Sequence, residues 1–416
     1  MPLFGLGFVM AALACLPITK NDVATPLEDT DGYLRIAARL GESGRYVGPD
    51  DTPTAFRPPL FPIAIALSGA PSDLIVHCLV YPMLLCGVAS IAREFSGRPA
   101  VRFAIGFLIC CPLLLAYLGR AMTELTSAWF AACLVIAAAR CRVGMQAAVS
   151  GGVLGLAILT RPVFAAFGLL WGVWVLGRWL VTRRAAYRPR LNGAGAFLLG
   201  LAVVWSPWVI RNALVFDAFI PFTTHGGYTL LLGNNPVFWD EVARVSPFAT
   251  WDGESLDRWQ KSLEAEMAAE GVTGEVARDA WQRRRAVGHI VERPGDFLRG
   301  VGTRVVRFWC PVPLGYEGSA VIYYAVGLYE TAFLLLAFAG LAVTVRTRSP
   351  DLWVPAVLMI AAFQGVHLFY WANARMRAPL VPVLAVFAAV GLRQAWLVFK
   401  PMILKHLGRS AAGDTA

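Results

Sequence analysis

Apolar runs of roughly 17–25 residues, long enough to cross a bilayer as a helix, recur along most of this chain. About ten are readable, at roughly 3–19, 73–92, 101–118, 122–139, 145–160, 162–180, 193–210, 320–345, 352–370 and 378–398. The composition agrees: 57% of the 416 residues are hydrophobic and 15% are charged, against about 25% charged in an ordinary soluble domain. The expected fold is therefore all-α and polytopic, with about ten transmembrane helices. The pair at 145–180 is divided at Thr160-Arg161-Pro162, because an arginine is costly at mid-bilayer and proline breaks a helix.

Charge sets the orientation. Arg93, Arg98, Arg102, Arg140, Arg142, a cluster from Arg178 to Arg190, Arg346, Arg348, and finally Lys400, Lys405 and Arg409 fall on one face if ten spans alternate. The opposite short loops hold Arg120, Arg161, Arg375 and Arg377. The positive-inside rule makes the richer face cytoplasmic, which explains the net charge of +10 without nucleic acid. Residues 20–72 and 211–319 then form two long external loops, and 401–416 a polar cytoplasmic tail. The first run reads as a retained helix, since no Lys or Arg precedes it as in a secretory signal. Of eight cysteines, seven lie in or beside apolar runs and Cys310 stands in a loop. No C-x-x-C pair suggests zinc.

Both external loops carry helical patterns. Tyr33, Ile36, Ala37 and Leu40 have i, i+3, i+4, i+7 spacing, which predicts an amphipathic helix suited to the membrane surface. The apolar stretch 57-RPPLFPIAIALSGAP-71 is too short to span and predicts a second interfacial helix. In the other loop, Leu256, Trp259, Leu263 and Met267 are helix-spaced, as are Val276, Ala280, Val287 and Ile290. Phe297, Leu298, Val301, Val305 and Phe308 form a last apolar stripe with Arg299, Arg304 and Arg307 beside it, which predicts an interfacial helix.

Candidate chemistry lies at the external ends of spans. In 28-EDTDGY-33, Asp31 can cap the following helix or pair with Arg35 at i+4. Asp29 stands one step further out, and Glu28 reads as solvated. Glu124, in 123-TELTSAWF-130, is an ionisable group at a membrane helix end, a functional candidate by default. Arg57, Arg211, Arg375 and Arg377 come from distant parts of the chain to one membrane surface, where guanidinium groups suit a lipid phosphate. Their bland alternative is attraction to anionic head groups or pairing with carboxylates. In 225-HGGYTLLLGNNP-236, Asn234 and Asn235 offer amides suited to sugar hydroxyls, although the stretch also reads as a structured turn. His225 has no partner at metal-ligand spacing, so no metal is expected. No P-loop or G-x-G-x-x-G is found, which weighs against an ATP-driven pump.

Taken in order, 29-DTDGYLRIAARLGESGRY-46, 57-RPPLFP-62, 123-TEL-125, 160-TRP-162, the block 207–236 and 375-RMRAPLVP-382 resemble bacterial membrane glycosyltransferases of the C superfamily (GT-C). Protein O-mannosyltransferases and the lipid A aminoarabinose transferase are relatives. The resemblance implies that residues 1–400 form one transferase unit, with 20–72 as the catalytic loop. It implies a sugar arriving on a polyprenyl phosphate at the external face of the bacterial inner membrane. An acid of the first external loop would deprotonate a hydroxyl acceptor on lipid, polysaccharide or protein, with inversion at the anomeric carbon. Basic side chains would steady the departing phosphate, and no cofactor is implied. The spacing Asp29-Thr30-x-x-Tyr33 matches the family pattern and favours Asp29 as base, with Asp31 and Glu124 as further acids. Arg57, Arg211, Arg375 and Arg377 would bind the donor phosphate, and Tyr33, His225, Asn234 and Asn235 the sugar or acceptor. A transporter or lipid flippase is the competing class. Transporters place polar groups near the midplane and often show internal repeats, whereas the candidates here cluster at span ends.

Overall fold

The computed structural model describes residues 29, 31–69, 74–118, 120–140, 144–182, 193–251, 253–316 and 318–413. The run at 3–19 and Glu28 lie outside the described residues. The regular structure of the described residues is all helical, and their one β contact is an isolated bridge between Val47 and Pro53. Among the described residues, five helices are long and apolar enough to cross a membrane: Ile75–Ser96, Phe164–Val181, Ala194–Phe216, Ala320–Thr347 and Ala374–Pro401. Met145–Ile158 and Pro350–Val366 are shorter apolar helices. The chain is a helical membrane protein.

Two short helices come first, α1 (Tyr33–Ser43) and α2 (Leu60–Leu67). The apolar face of α1 is buried at Tyr33, Ile36 and Ala37. It packs on α2, where the Tyr33 and Phe61 rings meet edge to face at 5.3 Å. The bundle begins with α3 (Leu74–Ser96) and α4 (Arg98–Ile109). A single span was expected over 101–118. Instead α4 ends at Ile109, and a four-residue helix, α5 (Pro112–Leu115), follows. The cause is Pro112, which pushes the residue before it out of the helical region; Cys111 has φ −71° and ψ 110°.

Helix α6 (Glu124–Arg140) follows and is largely buried. Then come α7 (Met145–Ile158) and α8 (Phe164–Thr182), divided at Thr160-Arg161-Pro162, and α9 (Ala194–Phe216). Backbones touch where glycines face each other. A Cβ at Gly151 would lie 1.9 Å from the Phe197 carbonyl oxygen, and one at Gly200 1.9 Å from that of Ala148, so α7 and α9 pack through small residues as membrane helices commonly do. Gly340 on α15 (Ala320–Thr347) and Gly391 on the last helix repeat the device.

Between α9 and α15 lies a helical insert. It comprises α10 (Gly226–Gly233), α11 (Pro236–Phe238) with the π-turn Trp239–Ala243, α12 (Gly253–Ala269), α13 (Glu275–Glu292) and α14 (Pro294–Trp309). Its own core gathers Phe238, Trp239, Trp251, Trp259, Met267 and Trp281. Here one expectation fails. Arg304 and Arg307 do not flank the apolar stripe of α14; they are buried with Gly300, Thr303 and Phe308, while Leu298 is exposed. Carbonyl oxygens make this possible. Arg304 donates from Nε to Leu368 O (2.8 Å) and from Nη1 to Gly233 O, and Arg307 donates to Ala249 O (3.1 Å).

The chain closes with α16 (Pro350–Val366), a 3-10 turn (Ala374–Leu380), and α17, which runs unbroken over Val381–Gly413 and so carries helix into the polar tail.

Candidate active site

The site lies at the end of the bundle where α6 begins, beneath α1 and beside the insert. Its construction starts at Gly32, which takes φ +75° ahead of α1, a left-handed conformation that glycine adopts without a Cβ penalty. This bend folds Asp29 over the helix start. Its Oδ1 and Oδ2 accept from the backbone N–H groups of Leu34 (3.0 Å) and Arg35 (2.9 Å), and the Arg35 side chain approaches at 3.7 Å. The capping and Arg35-pairing role expected of Asp31 thus belongs to Asp29.

Asp31 is turned the other way, into a cluster of charges. Arg57 reaches it from the loop before α2, donating from Nε to Asp31 O (2.8 Å) and from Nη2 to Asp31 Oδ1 (3.1 Å). Arg375, from the 3-10 turn, donates from Nη2 to Asp31 Oδ2 and from Nε to Glu124 Oε1, and so bridges the two acids. Arg161, in the break between α7 and α8, donates from Nη2 to the same Glu124 oxygen and from Nε to Thr123 Oγ1 (2.8 Å). Five charged side chains from five chain segments therefore share one crevice.

The cluster is graded in depth. Glu124 is fully buried, and its Oε2 has no partner among the described residues. Asp31 is 12% exposed and Arg375 21%; Arg57 and Arg161 have similar access. Glu124 is also the first residue of α6, where the helix dipole favours a carboxylate. Burial works to raise the Asp31 pKa, but the charges of Arg375 and Arg57 outweigh it and hold the carboxyl below its ordinary value. Three guanidiniums against two carboxylates leave the crevice with one positive charge in excess.

The other candidates fall into two groups. Tyr33 lies beneath the cluster with Arg57 over its ring at 5.5 Å. His225 is close by, its ring 4.3 Å from that of Phe56 and its Nδ1 buried without a partner among the described residues. Burial, reinforced by Arg57, lowers its pKa to about 3, so it is neutral near pH 7.

Arg211, Arg377, Asn234 and Asn235 are engaged elsewhere. Arg211 donates to Thr54 O (2.8 Å) and Tyr46 O (3.0 Å) and stacks on Tyr46 and Trp208. Arg377 is buried behind the site on Glu330 (2.7 Å) and the carbonyls of Phe308 and Cys310. Asn234 donates to Leu230 O and Phe369 O, and Asn235 caps α11 at Phe238 N. These side chains build the walls of the region. Sequence reasoning does not single out Arg161 and Thr123 as site residues. The signals for Arg161 in the sequence are its external short loop and the 160-TRP-162 motif, beside its place in the helix break. Among the described residues no group of three or more His, Cys, Asp or Glu is placed to hold a metal ion.

No protein-family model and no curated protein matches the sequence. Solved structures do. The archaeal oligosaccharyltransferase AglB from Archaeoglobus fulgidus, in complex with an inhibitory peptide and a dolichol-phosphate, aligns over 99% of this chain at TM-score 0.54 and 15% identity. The apo form of the Archaeoglobus fulgidus oligosaccharyltransferase aligns over the same share at TM-score 0.56 and 14% identity. The chain shares the fold of these oligosaccharyltransferases. It spans about half the length of these oligosaccharyltransferases, 51% and 52%. ArnT from Cupriavidus metallidurans bound to undecaprenyl phosphate aligns over 97% of this chain and 80% of its own, at TM-score 0.44 and 17% identity. Within this fold, the charged crevice is where α1, α6, the α7–α8 break and the 3-10 turn converge.

Proposed function

We propose that this chain is an inverting glycosyltransferase that moves a sugar from a polyprenyl phosphate to a hydroxyl acceptor. The observation that carries the proposal is Arg375 bridging Asp31 and Glu124, with Arg57 and Arg161 on either side and one positive charge in excess. A sugar-phosphate diester carries one negative charge and would balance it. The partly exposed guanidiniums of Arg57 and Arg375 are suited to its oxygens through paired, charge-assisted hydrogen bonds. Glu124, fully buried, would hold Arg161 and Arg375 in place. The carriers named with the solved structures, dolichol-phosphate and undecaprenyl phosphate, belong to the chemical class proposed here as donor.

In the reaction, Asp31 takes the proton from the acceptor hydroxyl as general base. The acceptor oxygen bonds to the anomeric carbon from the face opposite the phosphate. The bond from that carbon to the phosphate oxygen breaks, its electron pair stays on the phosphate, and polyprenyl phosphate departs. Arg57 and Arg375 stabilise the growing charge from preorganised positions. The same arginines hold Asp31 ionised in the free protein. As the donor phosphate draws on them, the carboxylate becomes a stronger base where one is required. Asp29 keeps α1 in place, and His225 and Tyr33 line the approach to the sugar or acceptor. The positive-inside pattern supports an external, outer-leaflet side for this crevice, where a lipid-linked donor would meet it directly.

The experiment is turnover by the purified protein with a panel of polyprenyl-phosphate sugars and hydroxyl acceptors. The product's anomeric configuration is read by NMR. Inverted product together with released polyprenyl phosphate supports the proposal. Retained configuration, or no release across the panel, contradicts it.

A further inference from the structure

Arg57 protrudes from a stretch without helix, between Gly44 and Leu60. A guanidinium on such a stretch holds its place only if the backbone beneath it is held. The backbone here is bracketed from two sides. On one side Arg211, from α9, donates to Thr54 O and Tyr46 O, while Tyr46 Oη donates to Arg57 O (3.0 Å). On the other side stands Glu275, the first residue of α13 in the insert. Its Oε1 accepts from Ala55 N (2.7 Å) and from Thr224 Oγ1, and its Oε2 accepts from Thr54 Oγ1 (2.6 Å). Thr224 N in turn donates to Ala55 O (3.1 Å). Thr54, Ala55 and Thr224 are all buried, so the Ala55 N–H depends on Glu275 for its acceptor.

We infer that Glu275 is a positioning residue for Arg57, holding the Thr54–Ala55 backbone so that the guanidinium two residues on meets Asp31 and the donor phosphate. This rests on the assignment of Arg57 to the phosphate made above. It gives the insert a part in the site, since α13 joins Thr224, next to His225, to the loop of the charged cluster. The role is one of hydrogen-bond geometry. An acceptor at residue 275 is what the bracket needs, and the place at the N-terminus of α13 favours a carboxylate there.

The test is a double-mutant cycle on the affinity of the purified full chain for undecaprenyl phosphate. Arg57→Ala is expected to weaken binding about tenfold, the effect of one charge-assisted contact. Glu275→Ala weakens it several-fold in the wild-type background and adds nothing to Arg57→Ala. Glu275→Gln, which keeps an acceptor for Ala55 N–H, binds close to wild type. Thr54→Val removes one arm of the bracket and is the reserve should Glu275→Ala fail to fold; it weakens binding in the wild type and leaves Arg57→Ala unchanged. Losses that multiply between Arg57 and Glu275 or Thr54, or a folded Glu275→Ala protein of wild-type affinity, would overturn this inference alone. Absence of binding by the wild type would overturn the phosphate assignment as well.

Discussion

Arg375 and Arg377 stand two residues apart on one 3-10 turn, and each is paired with a buried glutamate, yet their surroundings are opposite. In a 3-10 helix the side chains at i and i+3 eclipse, so residues two apart point to different faces. Arg375 faces the crevice, is 21% exposed, and is shared between Asp31 and Glu124. Arg377 faces the core, is 1% exposed, and spends its hydrogen bonds on Glu330 and two carbonyls. The residue type and the ion pair are the same. What separates a site from a strut is access and sharing. A guanidinium that bridges two acids at the edge of solvent can exchange one of them for a phosphate, whereas one closed in by carbonyls cannot.

The comparison can be broken most directly at Arg375. Arg375→Ala should lower turnover by about a thousandfold, the upper range for one preorganised donor, with a small change in melting temperature. Arg377→Ala should do the reverse. Leaving Glu330 buried without its partner costs about 3–5 kcal/mol of stability, read as a loss of folded protein on heating in detergent. The paired change Arg377→Met with Glu330→Leu sharpens the point, because replacing a buried pair by apolar groups is often close to neutral. It should recover most of that stability, with turnover following the amount of folded protein.

Sequence reasoning reached the helical membrane class, the break at Thr160-Arg161-Pro162, and Asp31, Arg57, Glu124 and Arg375 as candidates. It did not separate those residues from their neighbours, and the reasons are geometric. The choice between Asp29 and Asp31 depends on the left-handed turn at Gly32, which sends the nearer acid into the crevice and lets the farther one cap the helix. The choice between Arg375 and Arg377 depends on a 3-10 turn, where the sequence indicates only a short external loop before the span at 378–398. Arg304 is buried because carbonyls 64 and 71 residues away accept from it, and no local pattern carries that information. Arg161 is visible as an external arginine and in the 160-TRP-162 motif, but nothing local links it to Glu124, 37 residues away.

Two smaller effects complete the comparison. His225 has a pKa lowered by burial to about 3, so between its ordinary value of 6.5 and that point the unfolded chain binds the proton and the folded chain does not. Stability then rises with pH across this window and falls as pH drops through it. From pH 7 to pH 5 the loss should be about 2 kcal/mol, and His225→Phe should flatten the thermal-stability profile there. Last, Asp29→Ala should cost about 1 kcal/mol, the usual value of a helix cap, visible as a modest drop in melting temperature.

The central claim is that Asp31, and not the capping Asp29, is the base. The measurement is single-turnover release of polyprenyl phosphate by wild type, Asp31→Asn and Asp29→Asn, each first shown to be folded. The account predicts release by wild type, release at a comparable rate by Asp29→Asn, and none above background by Asp31→Asn. Full release by Asp31→Asn with none by Asp29→Asn would contradict it.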